Sequence, residues 1–361
     1  MFALFLLIVA TLAHAGDVVV DMLDIGQGDA ILIRTPAKKA ILIDAGDRGD
    51  GVLDKLVALG VDHLDMVIAT HPHADHIGSM EAVVRAFPPK IYIDSGLPHT
   101  TATYSGLMRA IEENPAIAYK TAVAGSVFNL DDGAKLEVLL PDAAKHFTGT
   151  RSDLNANSVV TRLTHGDDCF LFIGDAEEPT ERALIEKNIG QCGVLKVAHH
   201  GSNHSSIQAF LDVVKPTTAL ISVGAANRYH HPGGDTLQRL EAVHATVYRT
   251  DRDGRITALS TGKGVRFRTE RNDAAASMLP VAAVPNPLPP TAPSTIPVVD
   301  ATLAPEVDPE SCPFPASKKS EVFHEASCGN AHKIGPENLV CYATREAALA
   351  AGKRSAGCCH P

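Results

Sequence analysis

Three imidazoles and one carboxylate fall within six residues, His71-Pro72-His73-Ala74-Asp75-His76, directly after the β-rich run Asp65–Thr70. Such groups cannot share a core without partners, so the fold must deliver them to an edge. A strand ending at Thr70 does so, because α/β sheets gather their sites at the C-terminal ends of strands. The alternation within the run lets His71 and His73 face one metal ion while Asp75 and His76 face a second.

The rest of the chain supplies a scaffold for that edge. Short β-rich runs at 18–23, 30–34 and 40–44 are separated by turn residues and read as adjacent strands. Helical periodicity follows over 52–59 and 77–87, the second helix stopped by Pro88-Pro89. Further strands are predicted at 90–94, 135–140, 158–163, 169–173, 194–198, 218–223, 245–249 and 255–260, with a helix at 105–113. Sheets covered by helices are the expected result.

Four segments are expected. Residues 1–15 carry an apolar stretch and the small-x-small site Ala13-His14-Ala15, the pattern of a signal peptide. The stretch is shorter than the ~20 residues of a spanning helix. The mature chain is therefore expected to be secreted or periplasmic, with no stable membrane association after cleavage. Residues 16–271 form the main α/β domain. Residues 272–311 hold nine prolines and no Lys, Arg or aromatic residue, which reads as a disordered linker. Residues 312–361 hold five of the seven cysteines and read as a small module. Clustered cysteines in an exported chain point to disulfides. Cys169 and Cys192 read as buried residues and not as ligands. With a formal charge of −10, nothing in the overall balance suggests a sequence-independent DNA coat. That balance does not exclude a phosphate-bearing substrate, since bound metal supplies local positive charge.

With Asp44 before it and Asp175 after it, the His71–His76 run resembles the signature of the metallo-β-lactamase superfamily, over about residues 17–270. The resemblance implies an αββα sandwich with metals at one edge. The stretches Asp24–Ala30, Ile173–Glu177, Leu195–Ser202 and Tyr248–Asp251 look like the soluble domain of ComEC-type competence proteins. What the resemblance implies is two divalent ions, zinc or manganese. His71 and His73 would bind one, and Asp75 and His76 the other, with Asp175 bridging. His199 or His200 would complete the second site; on a strand, adjacent residues point oppositely, so one of the two is expected to ligate. Asp44 would steady the His loop. Many family members carry another histidine before the bridging aspartate. Here that interval offers His99, His146 and His165 outside any motif, with His146 as the candidate ligand, and Asn155-Ala156-Asn157-Ser158 in place of a motif histidine.

A water held between two cations loses its proton near neutral pH and attacks a carbonyl or phosphorus in line. Catalytic roles are assigned to Asp75, His200 and His231, the last within a His230-His231-Pro232 element of the competence branch. Lys196, Ser202 and Asn157 are assigned to substrate binding. In the tail, the stretches Val322–Cys328, Ile334–Val340 and Ala347–Gly352 look like the small metal-binding module of Ada-type repair proteins. Cys328 and Cys359, with His324 and His360, would form a mixed metal site or disulfides. The expected function is a secreted phosphodiesterase, most plausibly a nuclease on extracellular DNA. The alternatives are a phosphorylcholine esterase, a lactamase-like amidase, or a non-catalytic metal-binding protein.

Overall fold

The computed structural model describes residues 16–130, 133–142 and 146–271, and in the tail 314–317, 322–323, 338–342, 348–349, 351 and 353–355. The signal-peptide segment and the proline-rich linker lie outside the described residues. The chain divides into two compact units, Met1–Ala282 and Ala283–Pro361.

In the first unit the strands are β1 Val18–Met22, β2 Ile31–Arg34, β3 Ala40–Ile43, β4 Met66–Ile68, β5 Ile91–Asp94, β6 Ala118–Thr121, β7 Val127–Asn129, β8 Ala134–Leu140, β9 Val160–His165, β10 Asp168–Phe172, β11 Val194–Lys196, β12 Thr218–Ile221, β13 Thr246–Arg249, β14 Ile256–Ser260 and β15 Val265–Thr269. The helices are α1 Val52–Ala58, α2 Ala74–Ile77, α3 Met80–Ala86, α4 Ala102–Glu112, α5 Asp153–Ala156, α6 Glu178–Glu186, α7 Gln208–Val214, α8 Gly234–Ala242 and α9 Thr250–Asp253. One sheet has the order β15-β14-β1-β2-β3-β4-β5-β6 and the other β13-β12-β11-β10-β9-β8-β7.

Three apolar clusters define the layers. Val20, Ile33, Ile43 and Ile68 of the first sheet meet Leu136, Leu163, Phe170 and Phe172 of the second in a central core. The opposite face of the first sheet, through Leu32, Leu42, Val67 and Tyr92, packs on α1, α3 and α4 through Leu56, Val83 and Leu107. The outer face of the second sheet, through Leu171, Leu195 and Ile221, packs on α6, α7 and α8 through Leu184, Phe210 and Leu240. Successive strand residues point to opposite faces, so β2, β3, β10 and β11 are apolar at nearly every position and feed two cores each. The result is an αββα sandwich, as expected from the sequence.

Strand direction builds the site edge. β3, β4 and β5 run parallel, as do β10, β11, β12 and β13. Both sheets therefore send the C-terminal ends of their central strands to common edges, and the loops that follow carry the chemistry.

Several elements differ from the sequence reading. The helix expected over 77–87 is two short ones, α2 and α3. At the break, a Cβ on Gly78 would lie 2.5 Å from the Arg48 backbone nitrogen, so the 46–49 loop seats against a residue without a side chain. β11 stops at Lys196 instead of running to Ala198. β15 closes the first sheet beyond the last expected strand. Cys169 and Cys192 are joined in a disulfide, and Cys169 is only partly buried, so the two are not separate core residues.

The tail unit holds β16 Phe314–Ser317, β17 Val322–Phe323, β18 Leu339–Tyr342 and β19 Arg354–Ser355 in the order β18-β16-β17-β19. Ala316, Phe323 and Ala348 are buried together, with Phe314 and Tyr342 against them. Cys341 is disulfide-bonded. His324, Cys328, Cys359 and His360 lie outside the described residues.

Candidate metal centre

The loop after β4 and the turn into α2 carry the histidine run. Its backbone is fixed from behind: Thr70 N–H donates to Asp44 Oδ1 at 2.7 Å and Thr70 Oγ–H to Asp44 Oδ2 at 2.7 Å. Asp44 follows β3 and is fully buried. Its Oδ2 also lies 2.8 Å from His76 Nδ1. That contact holds the Nδ1 proton, so His76 Nε2 is turned toward the centre. Burial pushes the Asp44 carboxyl above the usual carboxylate range even with His76 against it.

Three loops converge in front of it, those after β4, β10 and β11. His71 Nε2 and His73 Nδ1 lie 3.0 Å apart and form one corner. Donor atoms of Asp75, His76, Asp175 and His200 all fall within 4.8 Å of one another and form the second. Asp175, after β10, stands between the corners. Its Oδ2 is 4.0 Å from His71 Nε2 and 3.5 Å from His200 Nε2, and its Oδ1 is 3.3 Å from His76 Nε2. The Asp175 backbone N–H donates to Ser158 Oγ at 3.3 Å.

The donor set fits divalent cations. Among the described residues, His76 Nε2, His200 Nε2 and Asp175 Oδ1 are buried and find no well-aligned hydrogen-bond partner, and all three belong to the second corner. Buried polar atoms are otherwise paired, so three orphans around one point mark the place of an ion. The electrostatics agree. Burial opposes charge on His200, yet Asp175 and Asp29 outweigh it and lift the imidazole to about 10. Against the same penalty, Asp175, Asp44 and Asp75 hold His76 well above its ordinary range. The carboxylates thus favour positive charge at both rings, the charge that a divalent ion would supply. The donors are nitrogen and oxygen only, which suits zinc or manganese.

His199 and His200 are not strand residues. Both occupy the left-handed region, at φ 49° and 53°, in the tight turn Ala198–Gly201 after β11. Consecutive non-glycine residues there are strained, a condition concentrated at functional sites. The turn aims both rings toward Asp175. His200 is buried and belongs to the four-residue corner, its Nδ1 lying 3.0 Å from the Ser222 carbonyl. His199 is part-exposed, with Nε2 3.7 Å from Asp175 Oδ2.

A cavity of about 340 Å³ opens over the cluster, lined by Gln27, His73, Asp75, Asn155, Asp175, His199, His200, Tyr229 and His231. Residues 23–225 match the metallo-beta-lactamase superfamily domain. The chain belongs to that superfamily. The fold and site are those of a metal-dependent hydrolase. Among curated relatives, ComE operon protein 3 of Bacillus subtilis is 34% identical over 278 residues, which are 71% of this chain and 34% of that protein. Competence protein ComA of Neisseria gonorrhoeae is 33% identical over 67% of this chain and 32% of its own length. The chain thus spans about a third of the length of the curated relatives it matches. Among solved structures, the metallo-beta-lactamase fold protein YhfI of Bacillus subtilis is 12% identical, with a TM-score of 0.46 over 68% of this chain and all of that one.

Within this superfamily member, three assignments are corrected. Lys196 cannot touch substrate: it is 1% exposed, ion-paired to Asp29, and donates to the Gly174 carbonyl at 2.9 Å. Ser202 is also buried, its Oγ accepting from His204 N–H. Asn157 is buried, with its amide spent on the backbone of Phe147 and Asp153; Asn155 takes its place in the cavity. Of the candidate additional histidines, His146 is exposed and does not line the cavity. His165 is buried on Ser260 Oγ at 2.9 Å. His99 approaches His73 edge-on, ring centres 6.1 Å apart. His231 reaches the cavity, and burial, helped by His199, pushes it down to about 4. It meets a substrate as a neutral ring.

Sequence reasoning left Asp29 without a role. It is buried behind the centre, paired to Lys196, with Oδ1 3.5 Å from His200 Nδ1. It rides on a loop that needs Gly28: a Cβ there would lie 2.2 Å from the Asp75 carbonyl oxygen, and φ is +135°. Asp24–Ala30 was visible as a motif, but the lysine that explains Asp29 lies on another sheet.

Replacing Asp44 by Ala removes the group that orients His76. The expected result is a 10- to 100-fold rise in the dissociation constant for zinc, read by competition with a chromogenic chelator. Unchanged affinity would refute the orienting role.

Proposed function

We propose that this chain is an exported di-metal phosphodiesterase that cleaves DNA. The observation that carries the reading is the pair of corners about Asp175 beneath an open polar cavity. The competence-protein relatives favour DNA over other phosphodiesters. The disulfide between Cys169 and Cys192 favours an oxidising compartment, and hence export.

Asp75, His76 and His200 would hold one ion and His71 and His73 the other, with Asp175 between them. When bound, the ions supply Lewis acidity and a nucleophile at neutral pH. The protein's own groups do the rest. Asp44 and the Ser222 carbonyl fix the Nδ1 protons of His76 and His200. Lys196 stabilises the ionised forms of Asp29 and Asp175 from behind. Gln27 and Asn155 add amide groups to the lining of the cavity, where a phosphate would enter. Arg151 and Arg228 are both exposed, and Arg228 is held against Tyr229 of the cavity lining. Exposed cations in the loops around the cavity suit a polyanion despite the acidic average.

The test is a substrate panel. The full chain, supplied with Mn²⁺ or Zn²⁺, is offered single- and double-stranded DNA, a phosphorylcholine ester and a lactam, each with and without chelator. Chelator-sensitive cleavage of DNA is expected. Folded, metal-loaded protein that leaves DNA intact and opens the ester or lactam would overturn the reading.

A further inference from the structure

We propose that Tyr229 is a stacking platform for the nucleobase next to the scissile phosphate, which makes the preferred substrate single-stranded DNA. The inference rests on the phosphodiesterase reading of the same cavity.

Tyr229 lines that cavity and is 50% exposed, a large aromatic ring turned to solvent at the mouth of a site. The rings lead outward from the centre in sequence. His199 beside Asp175 meets His231 edge-on at 5.7 Å, and His231 lies nearly parallel to Tyr229, at 18° and 5.7 Å. On the same ring, the Arg228 guanidinium sits 5.0 Å from the centroid, and Arg228 Nη2 donates to Tyr229 Oη at 2.8 Å. The guanidinium therefore lies over part of the ring while half of the Tyr229 surface stays open to solvent, a cation and a π surface together, the pairing that holds a base and its phosphate.

The platform is rigid before anything binds. Asn227 ties the loop at both ends: its Nδ2 donates to the carbonyls of Gly224 and His231 at 2.8 Å, and its Oδ1 accepts from His231 N–H at 2.9 Å. Stacking on a fixed ring avoids much of the ordering cost of binding. A duplex keeps its bases stacked on each other, whereas a single strand can turn one out onto an aromatic face.

The experiment uses full-length protein in Mn²⁺ and a single-stranded oligonucleotide with 2-aminopurine as its base probe. Phosphorothioate linkages protect the strand during binding, and an unprotected strand reports cleavage. A strand with an abasic site replacing the probe position serves as comparison. Wild type and Tyr229→Phe are expected to quench the probe and to bind the base-bearing strand at least about fivefold tighter than the abasic one. Tyr229→Ala is expected to lose the quench, the discrimination and about tenfold in affinity. Wild-type-like quenching and discrimination by Tyr229→Ala, with DNA still cleaved, would overturn the platform and leave the nuclease reading standing. Binding that depends on Tyr229 without cleavage would show that the ring stacks a base but would defeat the nuclease reading, and with it the placing of that base beside a scissile phosphate. No binding and no cleavage by wild type would defeat both.

Discussion

Asp175→Ala is expected to lose both ions and, with them, activity by roughly three orders of magnitude, the scale seen when a group acting within a catalytic unit is removed. The reason is position. Asp175 stands between the corners, with Oδ2 toward His71 and His200 and Oδ1 toward His76. Burial opposes its charge, yet the surrounding imidazoles hold it well below the usual carboxylate range. Without it, three imidazoles are left with one fewer anion among them, and a cation loses its shared ligand. Metal content by mass spectrometry and turnover of any hydrolysed substrate read the result. A variant that kept two ions and near-normal turnover would show that the corners do not depend on Asp175.

The second large effect is on folding. Lys196→Met is expected to destabilise the main domain by about 3–5 kcal/mol, because a buried carboxylate loses its paired cation. For a domain of this size that lowers the melting midpoint by about 10 °C. Lys196 and Asp29 are both 1% exposed and lie against each other, with Asp175 Oδ1 another 3.8 Å from the ammonium. Asp29 also touches His200, so metal affinity should fall along with stability. Adding Asp29→Asn to Lys196→Met removes the stranded charge and should recover most of the stability. If the single variant melts within about 1 kcal/mol of wild type, the buried pair is not what carries the negative charge of the centre.

How much of this was legible beforehand depends on the range of each signal. The central strands announced themselves through runs such as Ala40–Ile43, which are apolar on both faces because each face meets a different core. The six-residue histidine run was legible because it follows such a strand, while Asp44 and Asp175 were named through the family resemblance that the run carries. What the sequence could not show was three-dimensional. Lys196 sits in a β-rich run where a cation could as well point outward; only the pairing with Asp29, contributed by the other sheet, reveals it as buried. The reading of His199 and His200 assumed a strand through Ala198. The left-handed turn that replaces it is set by tertiary contacts such as His199 N–H to the Gly174 carbonyl at 3.2 Å. β6 went unread because all four of its residues are exposed and show no alternation. Helix α8, in which only Thr236 and Leu240 are buried, begins in Gly233-Gly234 and carries little local signal. Tyr229 gave no sign of its place, since an aromatic residue in a loop reads as packing until its exposure at the cavity mouth is seen.

The central claim is that two ions share Asp175. Anomalous X-ray diffraction from zinc- or manganese-loaded crystals of the full chain tests it most directly. The expected result is two peaks per chain. One should lie within bonding distance, about 2.0–2.2 Å, of His71 Nε2 and His73 Nδ1, and the other of Asp75, His76 and His200, with a carboxylate oxygen of Asp175 on each. A single peak, or peaks that leave Asp175 uncoordinated, would contradict it.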